Sequence, residues 1–206
     1  MLIEKVNRLM NSDVKRLVNE RIKSFLSMRN APIKELFKEL CFCLLTANFN
    51  AERGIIIQRE IDEGFLSLGR KELALKLREL GHRYPSTRAE FIVNARKMIN
   101  ELERIIRSDS SSREKREWLV KNIKGLGYKE ASHFLRNIGF LDLAIIDFHI
   151  LDILEREGLI EKPRTLTRKK YLEIENVLFD LAKKLDLSLG ELDLYLWYLE
   201  TGKVLK

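Results

Sequence analysis

Apolar residues recur at helical spacing along almost the whole chain, and no pair of segments alternates at the two-residue period of a strand. Val14, Leu17, Val18, Ile22 and Phe25 form a first stripe, broken near Arg29-Asn30-Ala31-Pro32. Pro32 opens a second helix carrying Leu36, Phe37, Leu40, Leu44 and Leu45; it is apolar nearly all round and so predicts the central buried helix. Thr46 to Asn50 end it. Ile57 and Ile61 run towards Gly64, and Leu73, Leu77 and Leu80 towards Gly81. After a basic-aromatic turn, His82-Arg83-Tyr84-Pro85, one long amphipathic helix is expected through Phe91, Ala95, Met98, Ile99 and Leu102 to Ile106. Ser108–Ser112 reads as a surface linker. Past residue 147, Phe148–Glu157 is helical and stops at Gly158. Val177, Leu178, Leu181 and Leu185 form another stripe. Ser188 with Glu191 predicts a capping box for the last helix, which carries Leu192, Leu196 and Leu199. The fold class is all-α.

The stretch from Asn122 to Ile150 carries the chemistry. Lys124-Gly125-Leu126-Gly127 places two glycines in a tight turn, a hairpin whose backbone N–H groups can face a phosphate beside the positive end of the next helix dipole. In that helix Ala131, Phe134, Leu135 and Ile138 form the core stripe, with Gly139 as the stop. Lys129, Ser132, His133 and Arg136 share the opposite face. They read either as a solvated basic face touching phosphates or as the setting for a nucleophilic amine at Lys129. With a pKa of ~10.4, a free lysine is unprotonated in one molecule in ~2,500 at pH 7, and closing that gap takes roughly 4–5 kcal/mol. A helix N-terminus supplies ~0.3–1 kcal/mol, so desolvation has to supply most of the shift. Asp147 follows the apolar run Leu143-Ala144-Ile145-Ile146. It suits a helix N-cap and equally a carboxylate that stabilises positive charge or relays a proton.

Composition narrows the partners. The chain has 206 residues, 45% of them hydrophobic, enough for a packed core. Lys and Arg exceed Asp and Glu by 38 − 31 = 7, which favours a polyanionic partner without requiring one. Cys41 and Cys43 sit in the apolar run of the central helix and read as buried small side chains; two thiols fall short of a four-ligand zinc site. His133 and His149 have no carboxylate or cysteine partner at metal spacing, so no metal is expected. No secretory signal or membrane-spanning run is evident, and a soluble, cytoplasmic protein without membrane contact is expected.

Taken together, LCFCLLTAN (40–48), LGHRY (80–84), GYKEASHFLRN (127–137), LAIID (143–147) and ELDLYLWYLETGKVLK (191–206) resemble the archaeal-type 8-oxoguanine DNA glycosylase/AP lyases, within the helix-hairpin-helix DNA glycosylases. The similarity covers nearly the whole chain. It implies a helix-hairpin-helix glycosylase fold of two helical subdomains around a cleft, as a single unit over 1–206. The hairpin motif would span about 114–139 and the catalytic loop about 140–147. It also implies that Lys129 attacks C1′ of the damaged nucleotide, that the Schiff base then undergoes β-elimination, and that Asp147 is the catalytic aspartate. Lys124, Gly125 and Gly127 would hold the DNA backbone, with a monovalent cation on the hairpin carbonyls in some members and no required cofactor. Asn48 matches the position of a polar wedge that fills the gap left by the flipped base. His149 joins the DNA-contacting set, and Tyr84, Trp197 and the terminal Lys206 match the base pocket. Two departures stand out: the loop before Asp147 lacks a proline, and Phe148 occupies a place where relatives commonly carry a basic residue.

The expected protein is thus a monomeric DNA repair enzyme, of prokaryotic source and nucleoid-associated, acting on double-stranded DNA that contains 8-oxoguanine. Two alternatives stay open: a glycosylase for another oxidised base, and a non-catalytic helix-hairpin-helix module in which Lys129 is one more phosphate contact.

Overall fold

The computed structural model describes all 206 residues, and they form thirteen α-helices, one short 3-10 turn at Met28–Asn30 and no strand. The chain divides into two compact units. One combines residues 1–29 with 135–206, the other spans 30–134.

The first unit contains α1 (Leu2–Met10), α2 (Val14–Ser27), α11 (Phe148–Arg156), α12 (Arg168–Lys184) and α13 (Leu189–Thr201). Helix α13 is its centre, packing against α1, α2, α11 and α12. Its start is the expected box: Ser188 Oγ accepts from the Glu191 N–H at 3.2 Å, and Glu191 Oε2 accepts from the Ser188 N–H at 2.8 Å. Val6, Val18, Phe25, Ile153, Leu178, Leu194 and Leu196 fill the core. Two stripes shift from expectation. Leu17 is 40% exposed beside a fully buried Val18, and on α12 the buried line runs through Tyr171, Ile174, Leu178 and Leu181 while Val177 stands at its edge.

The second unit is built on α3 (Ile33–Thr46), whose residues Leu36 through Thr46 are all buried, Cys41 and Cys43 included as free thiols. Around it pack α4 (Ala51–Ile61), α5 (Gly64–Ser67), α7 (Pro85–Arg96) and α8 (Ile99–Arg107), with α6 (Arg70–Glu79) against α7 and α9 (Ser112–Asn122) against α8. Even this helix buries Lys38, whose amine meets Glu35 at 3.0 Å, Asp62 at 2.7 Å and Glu63.

The single long helix expected over residues 85–106 is two helices. Lys97 N–H donates to Asn94 O at 3.2 Å and Met98 N–H to Ala95 O at 2.9 Å, three-residue bonds that tighten and end α7 before α8 begins. After the break α7 lies on α6 and α8 on α9, while both pack against α3. Ser108–Ser112 is more than a linker: Ser111 caps α9 in a box with Glu114, and the buried Lys115 amine holds the carbonyls of Ser108 and Ser110.

Helix α10 (Tyr128–Asn137) crosses the border between the units, which falls between Phe134 and Leu135. It ends as the sequence predicts. Gly139 takes φ +89°, its N–H donates to Arg136 O at 2.9 Å, and the Phe140 N–H reaches back to Leu135 O at 2.9 Å. A β-carbon on Gly139 would stand 3.0 Å from the Phe25 carbonyl oxygen.

Candidate active site

The hairpin is assembled from α9, the turn 123–127 and the start of α10. Leu126 N–H closes the turn on Ile123 O at 3.2 Å. Gly125 sits at φ +97°, and a β-carbon there would lie 2.2 Å from Phe91 Cδ2, so both backbone and space demand glycine. Gly127 opens α10 by accepting from the Ala131 N–H at 3.0 Å. Its own N–H is already taken by Glu130 Oε2 at 3.2 Å. Lys124 is exposed and pairs with Glu90 Oε1 at 2.9 Å, while Arg70 holds the other oxygen of the same carboxylate at 2.7 Å. These cations keep the Glu90 carboxyl below the usual range, Lys124 foremost. An exposed pair of this kind contributes little, so Lys124 can exchange its partner for a phosphate at small cost.

Along α10 the core stripe is as expected: Ala131, Phe134, Leu135 and Ile138 are fully buried. The opposite face corrects the solvated-face alternative, because Ser132, His133 and Arg136 are buried as well. Each meets a specific neighbour. Arg116 Nη1 donates to Ser132 Oγ at 3.2 Å, and His133 stands edge-on to Phe42 with centroids 5.6 Å apart. Arg136 pairs with Asp193 and lies 4.8 Å over the Phe25 ring. On that face only Lys129, in the first turn, is half-exposed. The adjoining Tyr128 is tied down by its hydroxyl, which donates to Glu117 Oε2 at 2.6 Å. The buried Arg116 that serves this helix lies in the charged run REKRE, where nothing in the residue pattern marks it as interior.

Asp147 lies in the first unit, at the end of the buried run Leu143–Ile146. Its Oδ1 accepts from the Ile150 N–H at 3.0 Å, so it is the N-cap of α11. Beside it Phe148 is 63% exposed, its ring 4.0 Å from His149. His149 in turn stands edge-on to Trp197 at 5.0 Å. Trp197 Nε1 is buried with no acceptor, an unmet need that a core tryptophan normally satisfies. Lys206 is half-buried.

Asn48 and Tyr84 belong to the second unit. Asn48 is exposed at φ +58°, on the turn that follows α3. Two basic side chains from beyond residue 80 hold that turn. His82 Nε2 meets Leu45 O at 3.0 Å and Arg88 Nη2 donates to Ala47 O at 2.6 Å. Tyr84 N–H donates to His82 Nδ1 at 3.0 Å, which leaves the imidazole neutral with its proton on Nε2, and Phe49 stacks on it at 4.2 Å. Burial pushes this imidazole below the ordinary histidine value; the Leu45 carbonyl opposes the shift and the Arg88 charge adds to it. Arg88 also lies 5.9 Å from the Tyr84 ring and 5.7 Å from Phe91, the ring that backs Gly125. One arginine therefore links the Asn48 turn, Tyr84 and the hairpin's support. The residue pattern gives no hint of it, since position 88 reads as one more charge on a helix.

Comparison with known proteins gives a consistent result. The profile of the family described as 8-oxoguanine DNA glycosylase matches residues 18–187. The chain is 56% identical over 207 residues to the 8-oxoguanine DNA glycosylase/AP lyase of Methanocaldococcus jannaschii, covering 100% of both chains. It is also 56% identical to the protein of that name from Korarchaeum cryptofilum, covering 100% of this chain and 98% of the relative. The crystal structure of the M. jannaschii glycosylase/lyase with a 15mer DNA containing 8-oxoguanine superposes with a TM-score of 0.97 over 100% of both chains, at 55% identity.

Proposed function

The chain belongs to the 8-oxoguanine DNA glycosylase family, and we propose that it excises 8-oxoguanine from duplex DNA through a Schiff base at Lys129 and then nicks the abasic site. The observation that carries this reading is the full-length match in sequence and fold to relatives of that named activity. The arrangement of this chain's own residues supports it.

In the first step the Lys129 amine attacks C1′ of the flipped nucleotide, and the bond from C1′ to the base breaks, releasing 8-oxoguanine with a proton. Opening of the sugar ring leaves a C1′=N Schiff base. Loss of a C2′ proton then expels the 3′ phosphate, and water frees the lysine. The placement of Lys129 favours this: it is half-exposed at the start of α10, on a face whose other members are buried, so a bound duplex completes its desolvation. Asp147 stabilises positive charge on the sugar or takes the amine's proton. Capping α11 is compatible with that role, since the cap fixes the carboxylate.

Lys124 and the backbone at Gly125 and Gly127 grip the DNA backbone, with His149 beside Asp147 as a further contact. In this reading any monovalent cation would be held by the carbonyls of the same tight turn. Asn48, exposed on a turn held from behind by Arg88, fills the space left by the flipped base. Trp197 offers a buried N–H without an acceptor, and we assign it, Tyr84 and Lys206 to recognition of the base. In this reading the enzyme works as a monomer in the cytoplasm, near the nucleoid. Separately, no helix is long and apolar enough to cross a membrane.

Borohydride trapping tests the reading. With an 8-oxoguanine duplex the wild type should give a covalent adduct, and Lys129→Gln should bind the duplex without one. If neither protein is trapped and both only shift the duplex, the chain is a binding module.

A further inference from the structure

The run that delivers Asp147 has an unusual backbone problem. Residues 143–146 are buried and lie outside any helix, and the fold contains no strand to pair with them. Buried N–H and C=O groups left without partners are strongly unfavourable. Two side chains of α12, four residues apart and so on one helical face, meet that need. Glu175 Oε1 accepts from the Ala144 N–H at 3.1 Å. The Tyr171 hydroxyl donates to Ala144 O at 2.7 Å and accepts from the Ile146 N–H at 3.3 Å. Both side chains are nearly inaccessible, Tyr171 at 2% and Glu175 at 1%.

We propose that Tyr171 and Glu175 are positioning residues for Asp147: they hold the backbone at Ala144 and Ile146 and so set where its carboxylate stands. This rests on the reading of Asp147 as a catalytic carboxylate. The residue next to the last bonded peptide is Asp147 itself, so a shift of the run at Ile146 is passed directly to the carboxylate. Its downstream side is already fixed by the cap to Ile150. The upstream bonds therefore supply the remaining restraint. Misplacement of a catalytic group by ~1 Å can cost ~100-fold in rate.

The experiment is a double-mutant cycle on single-turnover excision from an 8-oxoguanine duplex, run well below the unfolding temperature of every variant. Tyr171→Phe should slow excision roughly ten- to a hundredfold. Duplex affinity should stay within about threefold, because no DNA contact is removed. In an Asp147→Asn background the same substitution should have almost no further effect, since the group it positions has lost its charge. A full, independent loss in that background would overturn the proposal and leave Tyr171 a plain core residue. Should Tyr171→Phe fold poorly, Glu175 decides the matter: Glu175→Leu should slow excision, and Glu175→Gln, whose amide oxygen can still accept from Ala144, should recover most of the rate. Equal losses for Leu and Gln would also overturn it. An unchanged rate for Asp147→Asn alone would sink the catalytic reading of Asp147 and is thus distinguishable from failure of the positioning idea.

Discussion

Arg88 donates from its buried guanidinium to the carbonyl oxygen of Ala47 at 2.6 Å, across forty-one positions of sequence, and so holds the turn that presents Asn48. Burial lowers the pKa of the guanidinium, with the carboxylate of Glu130 acting against that, so the arginine also senses the first turn of α10. A charged donor on a carbonyl that closes a helix is worth more than an ordinary hydrogen bond.

Arg88→Met keeps most of the side-chain volume and removes the donor. It should lower stability by about 1.5–3 kcal/mol. It should also raise the fluorescence of a 2-aminopurine opposite the lesion less than the wild type does, as the Asn48 turn loosens. Thermal unfolding and that fluorescence titration check the two halves; an unchanged melting curve would show that Ala47 finds another donor at no cost.

Gly125 tolerates no side chain on two separate grounds, φ +97° and the Phe91 ring. Gly125→Ala should cost about 1–3 kcal/mol from backbone strain alone. Pairing it with Phe91→Leu should recover only the steric part. Full recovery in the double variant would mean that conformation contributes nothing.

Asn caps a helix about as well as Asp. Asp147→Asn should therefore leave the melting temperature nearly unchanged while base excision falls on the order of a hundredfold or more. Single-turnover kinetics beside calorimetry separate the two. Loss of stability without loss of rate would make Asp147 a cap and nothing else.

Because burial keeps His82 neutral in the folded chain, its effect on stability follows from the direction of that shift. Above the ordinary histidine value of 6.5 folded and unfolded chains are both unprotonated at this site, and the full contribution is present. As pH falls below that value the unfolded chain takes up a proton the folded chain refuses, so stability declines until the depressed folded pKa is passed. Unfolding midpoints between pH 8 and 5 should fall more steeply for the wild type than for His82→Gln. Parallel curves would contradict it.

Phe148 is exposed next to Asp147, where a cation could meet a phosphate. Phe148→Lys should tighten duplex binding at low salt and steepen the slope of log affinity against log salt by nearly one unit. A salt titration showing no change in slope would place this side chain away from the DNA backbone.

Much of this molecule was written in the order of its residues. The helical stripe Ala131, Phe134, Leu135 and Ile138, the glycine stop at 139, the Ser188–Glu191 cap and the buried central helix follow from local rules: periodicity, capping and backbone freedom act within a few positions. The same rules set Lys129 in a first helical turn and Asp147 at a helix start. What only the tertiary structure decided was the fate of the charged and polar residues. Arg136 is buried because Asp193 lies against it, Arg116 donates to Ser132, and Arg88 finds a carbonyl far back in the chain. The break between α7 and α8, with neither proline nor glycine to mark it, answers to different packing partners. Desolvating an ionised group is unfavourable unless a specific partner stands beside it. That partner is supplied by the folded chain, so burial of a charge is a property of the assembled molecule rather than of its neighbours in sequence.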